Sequence, residues 1–387
     1  MDASLLFLLF DHGGERRLRE QRDPFAMSDE SFRRHFRLSK TTAMWLCEQL
    51  SDDLAREREG LTVQDQVICA LRFYATGGFQ TAVGSEATVS LSQPSVSRCV
   101  RAVSEAIVRV GTEQRWVSFP RTRSEIALVK QGFLRSGNIS DVVGCVDGTY
   151  IAIAGPDLPP AEKQTYWCRK GYYALNTMVV CDSNMRVLAI DPRFAGSCHD
   201  AYVWRGSALR SIFADTEIVH RGEFLLGDSA YPLEPWLITP VPGHPALSSP
   251  EGRFNQAHAS MRSVVERCIG LMKSRFRCLQ RYRALQYCPA VAEKIVAACA
   301  ALHNLCLDAS EPLLDDDSNI AGEDDDDDED DALPSDDGGP TRSGRTLYAR
   351  GKATRDRQIA LYGISRNAHL LHIQRARRRA QRHALDS

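Results

Sequence analysis

The stretch Val142-Val143-Gly144-Cys145-Val146-Asp147-Gly148-Thr149-Tyr150-Ile151-Ala152-Ile153-Ala154 decides how this chain is read. Small and β-branched residues stand on either side of a single carboxylate, a composition that suits strands better than helices. Two short strands are expected, over 142–146 and 150–154, with Asp147-Gly148 as a hairpin turn between them. Downstream, 175–181 and 187–190 read as further strands, and Phe224-Leu225-Leu226 as a buried strand ending at Gly227-Asp228. Residues 257–279 and 289–307 carry apolar side chains at helical spacing. Residues 140–307 are therefore predicted to form an α/β domain, a mixed sheet flanked by helices.

Upstream the character is helical. Val63, Val67, Ala70, Leu71 and Tyr74 share one helical stripe, and Gly77-Gly78 ends it. A short helix near 79–87 and a third opened by Ser92 follow, with Ser92 suited to the N-cap and Pro94 to the first turn. Residues 25–115 thus read as an all-α domain containing a helix-turn-helix, joined by a connecting helix in 116–139. A recognition helix reads DNA from its first residues, which here are Gln93, Ser95, Arg98 and Arg101. The ordinary alternative is a helical scaffold that packs on the α/β domain and touches no DNA.

The net charge of -2 conceals segregation. Residues 308–337 hold 16 Asp/Glu and no Lys/Arg, whereas 338–387 hold 12 Lys/Arg against 2 Asp/Glu. That leaves 36 basic and 32 acidic residues in 1–307, a mild excess that permits a polyanionic partner. The like-charged run 323–331 cannot bury enough apolar surface to fold alone, so 308–340 is expected to be a disordered acidic linker and 341–387 a basic tail. Within that tail, 359–361 and 368–379 have helical character, and 375–382 matches a nuclear-import signal or a nucleic-acid contact. Residues 1–24 are expected to be flexible. The apolar run 5–10 is too short for a membrane span or signal peptide, and no membrane association is expected. None of the 12 cysteines forms a C-x-x-C pair, so reduced thiols are expected rather than a zinc site.

Three carboxylates stand in settings that suit chemistry. Asp147 and Asp228 sit at expected strand ends, and Glu266 sits on a helix. There Arg262, Glu266, Gly270, Lys273 and Arg277 share a polar stripe beside the apolar stripe Val265, Ile269, Met272 and Phe276. Divalent cations held by oxygen ligands can activate water and stabilise a leaving oxygen at phosphorus. Magnesium, which manganese can replace, needs only a few carboxylates. Arg262, Lys273 and Arg277 would grip flanking phosphates. Taken singly, each signal has a bland reading: an Asp-Gly turn, a Gly-Asp-Ser turn, a solvated helix face. Arg169 and Lys170 lie in a loop with Tyr166, Trp167, Tyr172 and Tyr173, which suits either substrate contact or plain aromatic packing.

Six blocks carry a family resemblance: Val146–Ile151, Arg169–Asn176, Gly196–Asp200, Leu226–Pro232, Val265–Arg267 with Leu271–Phe276 and Leu279, and Ala301–Asn304. With separations of 81 residues from Asp147 to Asp228 and 38 from Asp228 to Glu266, the chain resembles the PIF/Harbinger superfamily of DDE transposases, including its domesticated vertebrate nucleases. The resemblance covers roughly 25–307. It implies an RNase H-like fold for 140–307 and a DNA endonuclease using two-metal in-line hydrolysis. Asp147, Asp228 and Glu266 would be both the catalytic and the metal-binding residues, with Mg²⁺ as the ion and Mn²⁺ able to substitute. His199 and Asp200 match a block that would sit near the second metal, or would form a structural hydrogen-bonding pair. DNA, a Myb/SANT-like DNA-binding protein and a second copy of the chain are the partners this implies, while the basic motif 375–382 points to the nucleus, with the cytoplasm as a further location. A DNA-binding or chromatin adaptor that keeps the fold without the chemistry is the alternative.

Overall fold

The computed structural model describes residues 23–55, 60–215, 222–312, 314 and 342–363. Residues 1–22 of the expected flexible segment 1–24, the acidic run 323–331, the helical stretch 368–379 and the basic motif 375–382 lie outside the described residues.

Five strands form one mixed sheet in the order β3-β2-β1-β4-β5. They are β1 (Val142–Ala152), β2 (Ala174–Cys181), β3 (Val187–Ala195), β4 (Phe224–Leu226) and β5 (Leu237–Ile238). β1 pairs antiparallel with β2 and parallel with β4; β2–β3 is antiparallel and β4–β5 parallel. The hairpin expected at Asp147-Gly148 does not exist. β1 runs unbroken through both residues, with Asp147 opposite Val179 and Gly148 opposite Met178. Asp147 is therefore fixed mid-strand by its pairing with β2, two residues past the last β1 residue that pairs with β4, and not at a strand end. An Asp-Gly pair favours a turn only where nothing else claims its backbone, and here β2 does. Asp228 does follow a strand end, two residues past β4.

The N-terminal helices are α1 (Asp29–Phe36), α2 (Lys40–Gln49), α3 (Ser51–Leu54), α4 (Val63–Thr76), α5 (Gln80–Ser85) and α6 (Gln93–Glu113). Thr62 and Asp65 make a reciprocal capping box that starts α4, and Gly77 at φ 59° ends it. α5 and α6 meet at a close turn, where a Cβ on Gly84 would stand 2.2 Å from the Leu91 carbonyl oxygen. These helices do not form a domain with a separate core. Phe32, Val67 and Val103 belong to the same buried cluster as Leu175 of the sheet and Val296 of α12 (Pro289–Asp308). The boundary expected at 115–140 thus separates no cores, although a connecting helix, α7 (Arg123–Ser136), is present as expected.

α8 (Pro160–Thr165), α9 (Asp200–Gly206) and α10 (Ala208–Asp215) follow the first strands, and α11 (Pro250–Arg275) follows β5. α11 covers one face of the sheet with Val265, Ile269 and Met272; Trp204 of α9 and Phe213 of α10 cover the other. By length and composition α12 could cross a membrane, but here it is the buried core helix. Its Asn304 accepts from the Val187 amide at 2.9 Å and donates to the carbonyls of Val187 and Trp116, each at 2.8 Å. His303 meets the Met185 carbonyl at 2.8 Å. The Ala301–Asn304 block therefore ties α12 to the β2–β3 turn and to the end of α6.

Residues 342–363 depart from expectation. They form α13 (Arg342–Gly363), which packs on α11 and β5 in place of a disordered tail. Ile359 joins the core, Arg355 donates to the carbonyls of Thr239 and Pro240, and Gly351 fits so closely that a Cβ would stand 2.8 Å from the Glu234 backbone. A basic composition does not preclude helix formation when a few apolar residues find a face to cover.

Just past α12, Glu311 caps α2 from a distance. It accepts from the Ser39 amide at 2.9 Å and the Thr42 hydroxyl at 2.7 Å, and pairs with Arg33 at 3.3 Å. Burial alone would raise the proton affinity of Glu311, but these donors outweigh it and lower its pKa below the usual 4.5. A depressed folded pKa means stability that is present above the unfolded value and lost as pH falls through the folded one. Glu311→Gln should cost about 1–3 kcal/mol near neutral pH. In denaturant titrations the gap to wild type should narrow as pH drops below the ordinary carboxylate range. Asn304→Ala, which strands a buried amide and two carbonyls, should cost about 2–4 kcal/mol at any pH.

Candidate active site

β1 alternates its side chains between two layers. Cys145, whose thiol meets the Met261 carbonyl of α11, and Asp147 face α11, whereas Val146 and Gly148 face α9. On the α11 face, one residue organises the charge. Arg262 donates one guanidinium N–H to Asp147 Oδ2 at 2.9 Å and another to Glu266 Oε1, one helical turn along. The Arg262 and Asp147 side chains are mostly buried, while that of Glu266 is 42% exposed and opens the site to solvent.

Electrostatics show how closely the acids are gathered. Burial pushes the Asp147 carboxyl well above its ordinary range; Arg262 pulls it back, while Asp228 and Asp200 push it further up. The Gly148 amide also donates to Asp147 Oδ1 at 2.9 Å. Arg262 is held charged by Asp147, Glu266 and Asp228 against the cost of its own burial. Asp228 is steadied by its own turn, accepting from the Ala230 amide at 3.0 Å. Tyr231 of the same turn is buried beneath the acids, and its hydroxyl has no hydrogen-bond partner.

Asp200 lies on the other face of β1. A Cβ on Gly148 would stand 2.5 Å from Asp200 Oδ1, so position 148 is empty of side chain because this carboxylate fills it. Asn176 of β2 holds the same oxygen at 2.9 Å. His199, exposed, precedes α9 as its N-cap residue and makes no side-chain capping bond. The expected triad Asp147, Asp228 and Glu266 therefore shares one neighbourhood, with Asp200 behind the strand and His199 outside it. Among the described residues no three acidic, His or Cys side chains converge into a ready cation cage. The reason is visible: the guanidinium of Arg262 stands between Asp147 and Glu266. The space between these carboxylates is complementary to positive charge.

The expected phosphate contacts divide. Arg169 is exposed and bonds the Tyr150 hydroxyl, and Asp200 acts on the same tyrosine, which places the 166–173 loop beside the site. Lys170 lies in that loop, half-buried. Gln93, Arg98 and Arg101 lie on the surface of α6, with Gln93 bonded to Gln80 and Arg98 to Ser95. The cationic stripe on α11 is not as expected. Arg262 is committed to carboxylates, Lys273 is buried, and Arg277 lies beyond the helix, which stops at Arg275. The stripe followed ideal helical spacing, but Lys273, Ser274 and Arg275 in the last turn of α11 are buried, so helical position there does not give solvent access.

Sequence reasoning missed a second acidic centre. Glu234 accepts from the Trp204 and Trp236 indoles at 2.9 and 2.8 Å and from Arg210 at 2.8 Å. No spacing signal joins these residues, since β5 and the two helices meet only in three dimensions. The centre is structural: it ties α9, α10 and the β4–β5 connection together.

Gly148→Ala should cost about 1–3 kcal/mol by overpacking against Asp200. In an Asp200→Ala background most of that cost should disappear. A double-mutant cycle in urea checks this, and purely additive costs would refute the contact.

With the geometry described, known proteins can be compared. Residues 146–304 match the family model described as DDE superfamily endonuclease. The chain is 36% identical over 292 residues to the human protein "Putative nuclease HARBI1", covering 74% of this chain and 78% of that one. It is 35% identical to the bovine counterpart over the same shares. The Arabidopsis thaliana protein "Antagonist of like heterochromatin protein 1" is 28% identical over 76% of this chain and 77% of its own. No solved structure matches. The family model spans Asp147, Asp228 and Glu266 together with the Arg262 bridge between them, and the chain belongs to the Harbinger-derived family of DDE superfamily endonucleases.

Proposed function

We propose that the protein is a divalent-metal-dependent DNA endonuclease of transposase descent, with hydrolytic nicking as its retained reaction. The observation that carries this reading is the Arg262 bridge. It marks a cation-complementary space between a buried carboxylate fixed mid-strand and a solvent-facing one on a helix. Asp147, Asp228 and Glu266 would hold the metal, Mg²⁺ or Mn²⁺. Bound there, such ions would supply an activated water and charge stabilisation for the leaving oxygen.

The chain's own residues prepare for that chemistry. β1 fixes Asp147 mid-strand through its ladder to β2, so the carboxylate is positioned before any ligand arrives. Asp228 is held by the turn after β4, and Arg262 keeps Asp147 and Glu266 from repelling each other while the site is free. Arg169, Lys170 and the exposed end of α6, with Gln93, Ser95, Arg98 and Arg101, would meet DNA backbone and base edges, α4–α6 serving as a helix-turn-helix. The strand order agrees with an RNase H-like catalytic domain. By family analogy a Myb/SANT-like DNA-binding protein and a second copy of the chain would assist on nuclear DNA.

A second reading has one specific support, the name of the Arabidopsis relative, which refers to antagonism of a heterochromatin protein. Here the chain would be a chromatin adaptor that keeps the fold and does not cut.

Supercoiled-plasmid nicking by purified protein with Mg²⁺ or Mn²⁺ separates the two. The nuclease reading expects nicking by wild type, abolished by chelation. Asp147→Ala and Glu266→Gln should each reduce it at least about a hundredfold, the scale of losing an essential electrostatic group. Equal nicking by wild type and both variants removes the site; no nicking under any metal favours the adaptor.

A further inference from the structure

We infer that the exposed tip Arg281-Tyr282-Arg283, with Tyr172 beside it and Trp167 on the same loop as Tyr172, is a stacking platform for unpaired bases of a DNA single strand leading away from the carboxylate site. The inference deepens the nuclease reading and rests on it.

The tip is a single 3₁₀ turn, and its place in the fold is fixed by the strand that carries Asp147. Immediately after it, Leu285 pairs with Ile153 in parallel. The Leu285 amide donates to the Ala152 carbonyl at 2.9 Å, and the Ala154 amide donates to the Leu285 carbonyl at 2.9 Å. Ala152 lies five residues beyond Asp147, or about 17 Å at about 3.3 Å per strand residue. That is about five nucleotide steps at about 3.4 Å each. The other side of the tip is clamped by the turn between α4 and α5, where a Cβ on Gly77 would stand 2.8 Å from the Arg283 Cβ. The platform is therefore rigid and held at a set distance from the acids.

Its chemistry is that of rings and cations facing water. Tyr282 is 80% exposed and Trp167 42%, a large aromatic surface to leave uncovered. The Arg281 guanidinium lies over both Tyr172, at 4.9 Å, and Tyr282, at 5.8 Å, so one cation orders two rings. Trp167 is braced edge-on against Tyr173, with centroids 5.0 Å apart, and Lys163 sits over Tyr173 at 5.4 Å. The same loop carries Arg169, whose bond to Tyr150 joins the platform to the site. Aromatic faces flanked by cations hold single strands through base stacking and phosphate attraction, and they do so without sequence preference. A duplex keeps its bases stacked inside and would leave these ring faces unused, so an unpaired strand is the partner that fits.

The test measures the affinity of the full chain, in chelator so that nothing is cut, for fluorescent oligothymidine and for a duplex of equal length. Tyr282→Ala should weaken single-strand binding roughly tenfold, the scale of one lost stacked base, and leave duplex binding nearly unchanged. Tyr282→Phe should restore wild-type affinity. Arg281→Lys, which keeps the charge and loses the planar contact, should also weaken the single strand. Unchanged single-strand affinity in Tyr282→Ala, or an equal loss for both oligonucleotides, overturns the platform. Nicking that still requires Asp147 would show in that case that only the platform had failed. Nicking indifferent to Asp147, with single-strand binding still dependent on Tyr282, would show that only the nuclease reading had failed.

Discussion

Two carboxylates brought to one side of a strand repel each other, and burying one of them makes the repulsion dearer. Arg262 resolves this by lying between Asp147 and Glu266, with one N–H for each. The requirement constrains much of the surrounding fold. α11 must pass over β1 at the height of Asp147, so its apolar residues Val265, Ile269 and Met272 must meet the sheet in one rotational setting. Glu266 then follows at the sheet's open side by helical geometry alone. A buried ion pair adds little net stability, since desolvation offsets attraction. Its role here is to define a place where positive charge belongs.

That place is stable because the strand beneath it is central. β1 has β2 on one side and β4 on the other, and each face is covered, by α11 and α12 on one side and by α9 and α10 on the other. Much of what looks like functional patterning serves this support. Asn304 and His303 pin α12 to the β2–β3 turn, Glu234 gathers two indoles and an arginine, and Glu311 reaches back to cap α2. Distinguishing them from catalytic groups takes geometry, because both use the same polar residues.

The N-terminal helices and α13 show how far the core extends. Neither is an appendage: Phe32 at one end of the chain and Ile359 at the other belong to the same buried cluster as the sheet. The residues of α6 and the 281–283 tip that we propose meet DNA are thereby held in fixed relation to the carboxylates. A surface assembled from elements so far apart in sequence can only be as precise as the core that joins them.

Periodicity and composition alone announced α4, α6, α11, α12, strands β2 to β4 and the two halves of β1, because each of these buries a regular stripe that leaves its trace in the sequence. The three carboxylates also stood out, through the blocks around Asp147, Asp228 and Glu266, and the fold brings Asp147 and Glu266 to one arginine. What the chain could not announce is what its neighbours decide. Asp147-Gly148 reads as a turn, yet it is mid-strand because β2 supplies hydrogen-bond partners and Asp200 takes the space a side chain at 148 would need. Lys273 reads as part of a phosphate-gripping stripe, yet it is buried because the last turn of α11 is covered. The residues after 341 read as a tail, yet α13 found a face on α11 and β5. Local sequence determines which conformations are cheap; burial and pairing, which depend on residues hundreds of positions away, decide which of them the protein adopts and what each side chain then faces.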